Sequence, residues 1–351
     1  MPETRCSFFV GGRYVESGGE LRMTDQAYVQ MRAPDVIRWP YPVVMIHGGH
    51  QTAINFETTP DGRPGWADEF IDAGYVVYLM DQPGRGRSTF TSAYGPSGLP
   101  HSTARIEQRT TAAREYVLWP QASLHTQWPG TGHVGDPVFD QFYASQASCI
   151  ADRDLRERLM RAAGAALLDR IGSAVLLTHS QSGHFGWHIA DERPSLVRGI
   201  IAVEPGGPPF YEVETVGAPE YYRQGKRARP YGLTSTPLTY DPPVTDPGVD
   251  LRAELQAPAA VPNPVPCYLQ SEPARGLVNL ASVPVHVITG EASYHAGYDD
   301  YTVRFLRQAG VDATHIRLAD EGIHGNGHMM MLEKNSAEIA ALIMAVVQRL
   351  Q

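Results

Sequence analysis

The 351-residue sequence has few cysteines and no long hydrophobic run. Its three cysteines, Cys6, Cys149 and Cys267, are odd in number and far apart, so they fit neither a disulfide framework nor a zinc cluster. No stretch of about 18 apolar residues occurs, so no membrane partner is expected. The net charge of −9 argues against a nucleic-acid partner, which needs a basic face.

The N-terminal stretch "MPETRCSFFVGGRYVES" has no basic region followed by an apolar run, which predicts no signal peptide. Together with the unpaired cysteines, this favours a reducing, cytoplasmic location. The hydrophobic content of 42% is typical of a globular protein with a sizeable core. We expect one domain over residues 1–351.

Apolar runs that alternate with helical patterns predict the α/β class, with a mostly parallel sheet covered by helices on both faces. The first two predicted strands, joined by a glycine-containing turn, should pair antiparallel. Strands are predicted at residues 7–15, 27–34, 42–49, 75–81, 174–180, 197–207, 283–290 and 313–320, and helices at 66–74, 153–172, 183–191, 301–310 and 336–350.

Two segments, residues 89–152 and 205–280, do not follow this alternation. Loops of this length inside a compact domain are usually lids or binding loops, so we interpret both as insertions over the strand ends. The first carries the aromatic residues Trp119, Trp128, Phe139, Phe142 and Tyr143. These aromatic residues suggest a mostly apolar substrate pocket.

The stretch "HSQSGHFG" (179–186) directly follows a buried strand and precedes a helix. A nucleophile on such a turn needs small residues two positions before and after it. Centring on Ser180 places Thr178 and Ser182 there, whereas centring on Ser182 places the bulky His184 there. Ser180 is therefore the favoured nucleophile, and Ser182 and a simple helix cap are the alternatives.

Two further motifs precede this serine. "HGG" ends an earlier strand, and its Gly48 and Gly49 allow backbone N–H groups to approach a developing oxyanion, together with the amide of Gln181. "DQPGRGRS" (81–88) follows the next strand. In this order, with a late histidine, the motifs resemble those of the α/β-hydrolase superfamily over most of residues 40–351. The resemblance implies an α/β-hydrolase fold with lid insertions.

In most of that superfamily the catalytic acid follows the strand after the lid, and here that position is Ser293. A serine cannot stabilise an imidazolium by charge, so the acid must come from elsewhere. Glu204 lies at the carboxyl end of the strand after the "HSQSGHFG" helix, where catalytic groups gather in open α/β sheets. It is the favoured acid, and Glu291 is the alternative.

The superfamily places its histidine on a loop before the final helix, where "GIHGNGHMMMLEKN" offers His324 and His328. His328 precedes an apolar run that should anchor the loop, so we favour His328 over His324. The order Ser180, Glu204, His328 along the chain is the order that this fold requires.

The glutamate at this strand end and "GNGHMMMLEKN" resemble a small bacterial esterase group of the superfamily. This resemblance implies a serine hydrolase that cleaves a carboxylic ester or lactone through an acyl-enzyme, with no metal or cofactor, and it is compatible with a homodimer. A C–C bond hydrolase or peptidase with the same triad, or a non-catalytic ligand-binding protein, are the alternatives. His184 and His188 have the i, i+4 spacing of metal ligands, but the motif's glutamate is missing, so we expect a core role.

Overall fold

The computed structural model describes residues 3–256 and 265–351. Its centre is an eight-stranded sheet with the strand order β1-β2-β4-β3-β5-β6-β7-β8. The strands are β1 (Glu3–Ser17), β2 (Glu20–Pro34), β3 (Val43–Ile46), β4 (Val77–Asp81), β5 (Ala174–His179), β6 (Val197–Val203), β7 (Val285–Thr289) and β8 (Ala313–Arg317). Strand β2 runs antiparallel to β1 and β4, and all other pairs are parallel. The predictions of a mostly parallel sheet and of an antiparallel first pair are confirmed.

Helices cover both faces of the sheet. Those of seven residues or more within the described ranges are α1 (Trp66–Asp72), α2 (Pro137–Ala144), α3 (Arg153–Ile171), α4 (Ser182–Glu192), α5 (Asp299–Gln308) and α6 (Ser336–Gln348). Side chains of β3 alternate between two core layers. Val44 and Ile46 belong to the layer that includes α3, α4 and α5, and Val43 and Met45 belong to the layer with α1, α2 and α6. Burial on both faces explains why the central strands are continuous apolar runs.

The two predicted insertions contain short elements that the sequence patterns do not predict. The first includes α2 and the short helices Thr103–Ile106 and Ala113–Tyr116. The second includes a hairpin of the strands Tyr211–Gly217 and Tyr221–Arg227, and its residues 257–264 lie outside the described residues. The other short α-helices in the described residues are Ile54–Glu57 and Pro247–Asp250, and the other strand pairs are Ser97–Gly98 with Cys149–Ile150, Tyr240–Asp241 with Gly276–Leu277, and Ala253–Leu255 with Tyr268–Gln270. Single turns of 3-10 helix and one π-helical turn, Glu107–Thr111, lie between these elements.

The parallel strands bring several of the predicted site residues to one edge of the sheet. Gly48 follows β3, Ser180 follows β5, and Glu204 follows β6. Because carboxyl ends of parallel strands meet at the same edge, these residues lie close together. Among the described residues, no helix has both the length and the apolar content needed to cross a membrane.

Candidate active site

Ser180 lies on a sharp turn between β5 and α4. Its backbone has a φ of +54°, in the left-handed region that non-glycine residues rarely adopt. The turn is held on both sides, since the Ser180 amide donates to the carbonyl of Val203 at 3.0 Å and its own carbonyl accepts from the amide of Gly183 at 2.9 Å. The Ser180 side chain therefore lies at the sheet edge rather than in the core.

Ser182, the alternative nucleophile, is completely buried and bonded to the backbone. Its Oγ donates to the carbonyl of Ile46 at 2.6 Å and accepts from the amide of His179 at 2.8 Å. A Cβ added to Gly183 would lie 2.4 Å from the Cβ of Pro205, so the close helix approach that the turn requires is provided by Gly183. The Ser182 side chain thus joins the ends of β3 and β5 by hydrogen bonds.

The structure brings Ser180, His328 and Glu204 into one hydrogen-bonded chain. The Nε2 of His328 lies 3.0 Å from the Oγ of Ser180, and its Nδ1 lies 2.5 Å from the Oε2 of Glu204. Glu204 is fully buried, and its backbone also has a positive φ of +46°. In this geometry the carboxylate can fix the imidazole tautomer in which Nε2 is free to accept the serine proton.

Glu204 is held by donors from the loop after β7. Its Oε1 accepts from the amide of Gly290 at 2.8 Å, and its Oε2 accepts from the Oγ of Ser293 at 2.7 Å. Burial raises the pKa of the Glu204 carboxyl well above its ordinary value, whereas these two hydrogen bonds favour the carboxylate and oppose that rise. Ser293, which was considered only as the usual acid position, therefore orients the carboxylate of Glu204. Sequence reasoning missed this role.

The imidazole of His328 lies among other rings. The His295 ring stacks on it with centroids 4.9 Å apart and an interplanar angle of 7°, and the ring of Tyr294 lies 4.8 Å away. The carbonyl of His328 lies 3.0 Å from the Nε2 of His179. Burial, with smaller contributions from His179 and His295, lowers the pKa of His328 well below its ordinary value. A low pKa keeps this imidazole neutral and able to act as a base.

His295 belongs to a second buried network. Its Nδ1 lies 2.8 Å from the Oδ1 of Asp299, and the Oδ2 of Asp299 accepts from the Oγ1 of Thr289 at 2.8 Å. This network fixes the plane of the His295 ring and, through stacking, that of His328. No sequence pattern indicated it, because the three residues combine only when β7, the following turn and α5 pack together.

Gly49 and Gln181 place backbone amides beside Ser180. Within residues 3–256 and 265–351, neither amide has a hydrogen-bond acceptor, and both residues line the cavity that contains Ser180. Gly48 lies behind them, where an added Cβ would be 3.1 Å from the Cβ of Ser180. The buried Arg85 joins the two loops, since it donates to the carbonyl of Gly48 at 2.8 Å and to the Oε1 of Gln181 at 3.1 Å.

The alternative acid and base lie together at the surface. The Nδ1 of His324 lies 3.1 Å from the Oε1 of Glu291, and the exposed fraction of the His324 side chain is 62%. No contact joins either of them to Ser180 in the described residues. The sequence pattern favoured His328 over His324, but it did not show that the two alternatives, His324 and Glu291, contact each other.

His184 and His188 both bind Glu157 on α3. The Nε2 of His188 lies 3.1 Å from one carboxylate oxygen of Glu157, and the Nδ1 of His184 lies 3.5 Å from the other. Within the described ranges, one set of three side chains has donor atoms close enough for a metal ion, namely Glu204, His295 and His328. Two of its nitrogens already face carboxylates, so a metal ion would have to displace the hydrogen bonds described above.

Two cavities meet at Ser180, with volumes of about 580 Å³ and about 110 Å³. The aromatic residues of the first insertion do not line the larger cavity, and of the five only Phe142 lines the smaller cavity within the described residues. Trp119, Trp128 and Phe139 are buried in the protein interior, where they anchor the first insertion to the domain. The larger cavity is instead lined by the five arginines Arg105, Arg109, Arg153, Arg156 and Arg229.

Comparisons with known proteins place the chain in a family. Residues 43–342 match the model described as "Alpha/beta hydrolase family". The chain is 45% identical over 347 residues to a protein named "Probable secreted lipase phiG" from Fungal sp. (strain ATCC 74256), covering 99% of this chain and 90% of the relative. A solved structure titled "The Atomic Resolution Structure of a Novel Bacterial Esterase" shares the fold with a TM-score of 0.62 at 23% identity, over 99% of this chain and 97% of the other. This chain therefore belongs to the alpha/beta hydrolase family.

Proposed function

We propose that this protein hydrolyses carboxylic esters or lactones through an acyl-enzyme on Ser180. The observation that carries the proposal is the continuous chain from the Ser180 Oγ through the His328 imidazole to the Glu204 carboxylate, with separations of 3.0 Å and 2.5 Å. Nucleophile, base and orienting acid are thus within hydrogen-bond reach of one another. The name of the 45% identical relative, a probable lipase, supports the same reaction class.

In the first step the Oγ of Ser180 attacks the ester carbonyl carbon while the Nε2 of His328 accepts the hydroxyl proton. The tetrahedral oxyanion is stabilised by the amides of Gly49 and Gln181, with Gly48 as the close-approach residue of the same loop. When the tetrahedral species collapses, the C–O bond to the alcohol breaks and His328 returns the proton to the departing oxygen. For a lactone the alcohol remains attached to the acyl group.

In the second step a water molecule attacks the acyl-enzyme, and His328 again accepts and then returns the proton. The carboxylic acid leaves and the hydroxyl of Ser180 is restored, so water is the one co-reactant. Throughout, the negative charge of Glu204 stabilises the imidazolium that forms on His328. We also propose that the segments 89–152 and 205–280 act as the lid, since both contribute residues to the cavity walls.

A fluorophosphonate probe, combined with an ester and lactone panel, tests this proposal. We expect stoichiometric labelling, with peptide mapping by mass spectrometry placing the label on Ser180. Ser180→Ala should abolish both labelling and turnover, whereas the matched variant Ser182→Ala should still label. Turnover of the panel with no label, or a label on Ser182, would contradict the assignment. The cytoplasmic location stays a prediction, since the curated relative is named as secreted, and so does a homodimer.

A further inference from the structure

Positive charge faces Ser180 from the first insertion. Arg105 and Arg109 line both the larger and the smaller cavity, and Ser180 lies where these cavities meet. Neither guanidinium has a carboxylate within ion-pair distance in the described part of the chain. The smaller cavity, which also contains His328, has no acidic residue in its lining.

Arg109 is held in place beside the candidate triad. Its guanidinium carbon lies 4.2 Å from the centre of the Tyr294 ring, and that ring lies 4.8 Å from the His328 ring. A cation over an aromatic face is attracted electrostatically and loses freedom to turn away. Tyr294 thus holds a positive charge near the candidate triad, since its ring contacts both Arg109 and His328.

The glutamates in the lining of the larger cavity form no direct ion pair with these two arginines in the described residues, and the attraction between Glu212 and Arg105 is weaker than the repulsion from Arg109. Glu212 binds Arg153 at 2.7 Å. Glu157 is buried and accepts from the amide of Thr236 at 2.7 Å, in addition to its two histidine contacts. Glu214 is exposed.

The other two arginines of the cavity bind backbone oxygens and form no direct ion pair in the described residues. Arg229 donates to the carbonyl of Pro208 at 2.7 Å, and Arg156 donates to the carbonyl of Ala151 at 3.2 Å. Neutral carbonyls accept hydrogen bonds without cancelling charge.

The positive charge of Arg105 and Arg109 shifts the pKa values of neighbouring groups. Burial, His50 and the two arginines lower the pKa of His101 to about 4. Burial and Arg109 also lower the pKa of Arg105. Like charges held together in a partly desolvated cavity are unfavourable until an anion joins them.

We propose that the substrate is an ester bearing a carboxylate group, which Arg105 and Arg109 bind beside Ser180. This inference rests on the proposed function, because it assigns the substrate class of the same site. A planar guanidinium matches a carboxylate in two parallel hydrogen bonds, and two such groups on one cavity wall favour an anion over a neutral chain of the same shape. The carboxylate can belong to the acyl side or to the alcohol side of the ester.

The test compares each acid with its neutral, nearly isosteric amide. For the acyl side, the substrates are the monomethyl esters of succinic, glutaric and adipic acids and the corresponding methyl ester amides. For the alcohol side, they are 4-(butanoyloxy)butanoate and 4-(butanoyloxy)butanamide. Acid release is followed in a pH-stat. We expect kcat/KM to favour the carboxylate by about tenfold or more on one of the two sides, the size expected for a hydrogen bond to a charged group. The preference should shrink as salt is raised.

Variants assign the preference to the two arginines. Arg105→Gln and Arg109→Gln should each lower the ratio of kcat/KM for acid over amide by about fivefold to tenfold. Arg109→Gln also removes the Tyr294 contact, but a disturbance of His328 affects acid and amide alike and cancels in the ratio. Arg114→Gln is the matched control, since Arg114 is an exposed arginine of the same insertion that lines neither cavity. It should keep the wild-type ratio.

The two proposals fail in different ways. If the wild-type protein hydrolyses the amides through Ser180 but shows no preference for the acid in either arm, the carboxylate proposal is overturned and ester hydrolysis stands. A ratio that falls equally in Arg114→Gln also overturns it, because the effect then comes from overall charge. If no ester of either set is hydrolysed while other esters of the panel are, the carboxylate proposal alone fails. If no ester of the panel is hydrolysed either, both proposals fail.

Discussion

Replacing Glu204 by glutamine tests the most unusual feature of the site. The carboxylate accepts from three groups, the amide of Gly290, the hydroxyl of Ser293 and the Nδ1 of His328. A glutamine amide has one oxygen and one NH₂ group in their place. If the oxygen faces Gly290, the NH₂ group faces His328 and favours the tautomer with its proton on Nε2, which cannot accept the proton of Ser180.

The opposite orientation of the amide is also unfavourable. If the oxygen faces His328 and Ser293, the NH₂ group meets the amide N–H of Gly290, and two buried donors then oppose each other. Both orientations remove the negative charge that stabilises the imidazolium. We therefore expect kcat of Glu204→Gln to fall by about 10³-fold to 10⁴-fold, or about 4 to 5.5 kcal/mol in the barrier, by analogy with charge removal in other triads.

The assay is ester hydrolysis under saturating substrate, with circular dichroism and thermal melts as folding controls. Glu291→Gln is the matched control, since it makes the same chemical change in the surface pair with His324. Neither Glu291 nor His324 contacts Ser180, His328 or Glu204 in the described residues, so kcat of that variant should stay within about twofold of wild type. A folded Glu204→Gln protein with kcat within tenfold of wild type would refute the reasoning. A severe loss in Glu291→Gln instead would move the acid to that position.

Two further predictions concern the buried polar groups around the site. Ser293→Ala removes the hydroxyl that donates to Glu204 at 2.7 Å, so kcat should fall by about tenfold to 100-fold and the acid limb of its pH profile should move to higher pH. An unchanged profile would contradict this role. The pKa values of His47 and His179 are lowered to about 3 by burial, so the unfolded state binds protons first as pH falls below about 6.5. The free energy of unfolding, measured by urea titration, should therefore decrease between pH 6.5 and pH 3 by up to about 1.4 kcal/mol per pH unit for each histidine. A free energy of unfolding that stays constant over this range would contradict the lowered pKa values of the two histidines.

The sheet could be predicted because its central strands are buried on both faces. The run of residues 174–177 has no polar position to obscure it, and the structure buries all six side chains of β5, including Thr178 and His179. The hairpin of Tyr211–Gly217 and Tyr221–Arg227 gave no such signal. Its side chains are mostly half-buried or exposed, and it is stabilised by contacts that the local pattern does not record.

The positions of Ser180 and Glu204 could be predicted because strand ends in a parallel sheet converge, and that of His328 because it lies on the loop before the final helix. The side chains that surround these three residues could not be predicted. Ser293 was interpreted only as a missing acid, since a sequence shows the residue type but not the partner that its hydroxyl meets. The arginines of the larger cavity are spread over residues 105–229, and the tertiary fold alone brings them together. Of the aromatic residues in the first insertion, Phe142 lines the smaller cavity and Trp119, Trp128 and Phe139 are in the core. Aromatic content does not distinguish a core residue from a residue of a cavity wall.

The backbone conformation at the ends of β5 and β6 lowers the stability of the fold at two of the candidate site residues. Ser180 and Glu204 both have φ values near +50°, a region that costs a residue with a Cβ about 1 to 2 kcal/mol relative to glycine. At Glu204 the buried hydrogen bonds of the carboxylate offset this cost. The Ser180 side chain has one partner, His328, so glycine at position 180 should stabilise the fold. The stability gained in Ser180→Gly therefore measures, without any substrate, the free energy that the fold loses by keeping a hydroxyl at this turn.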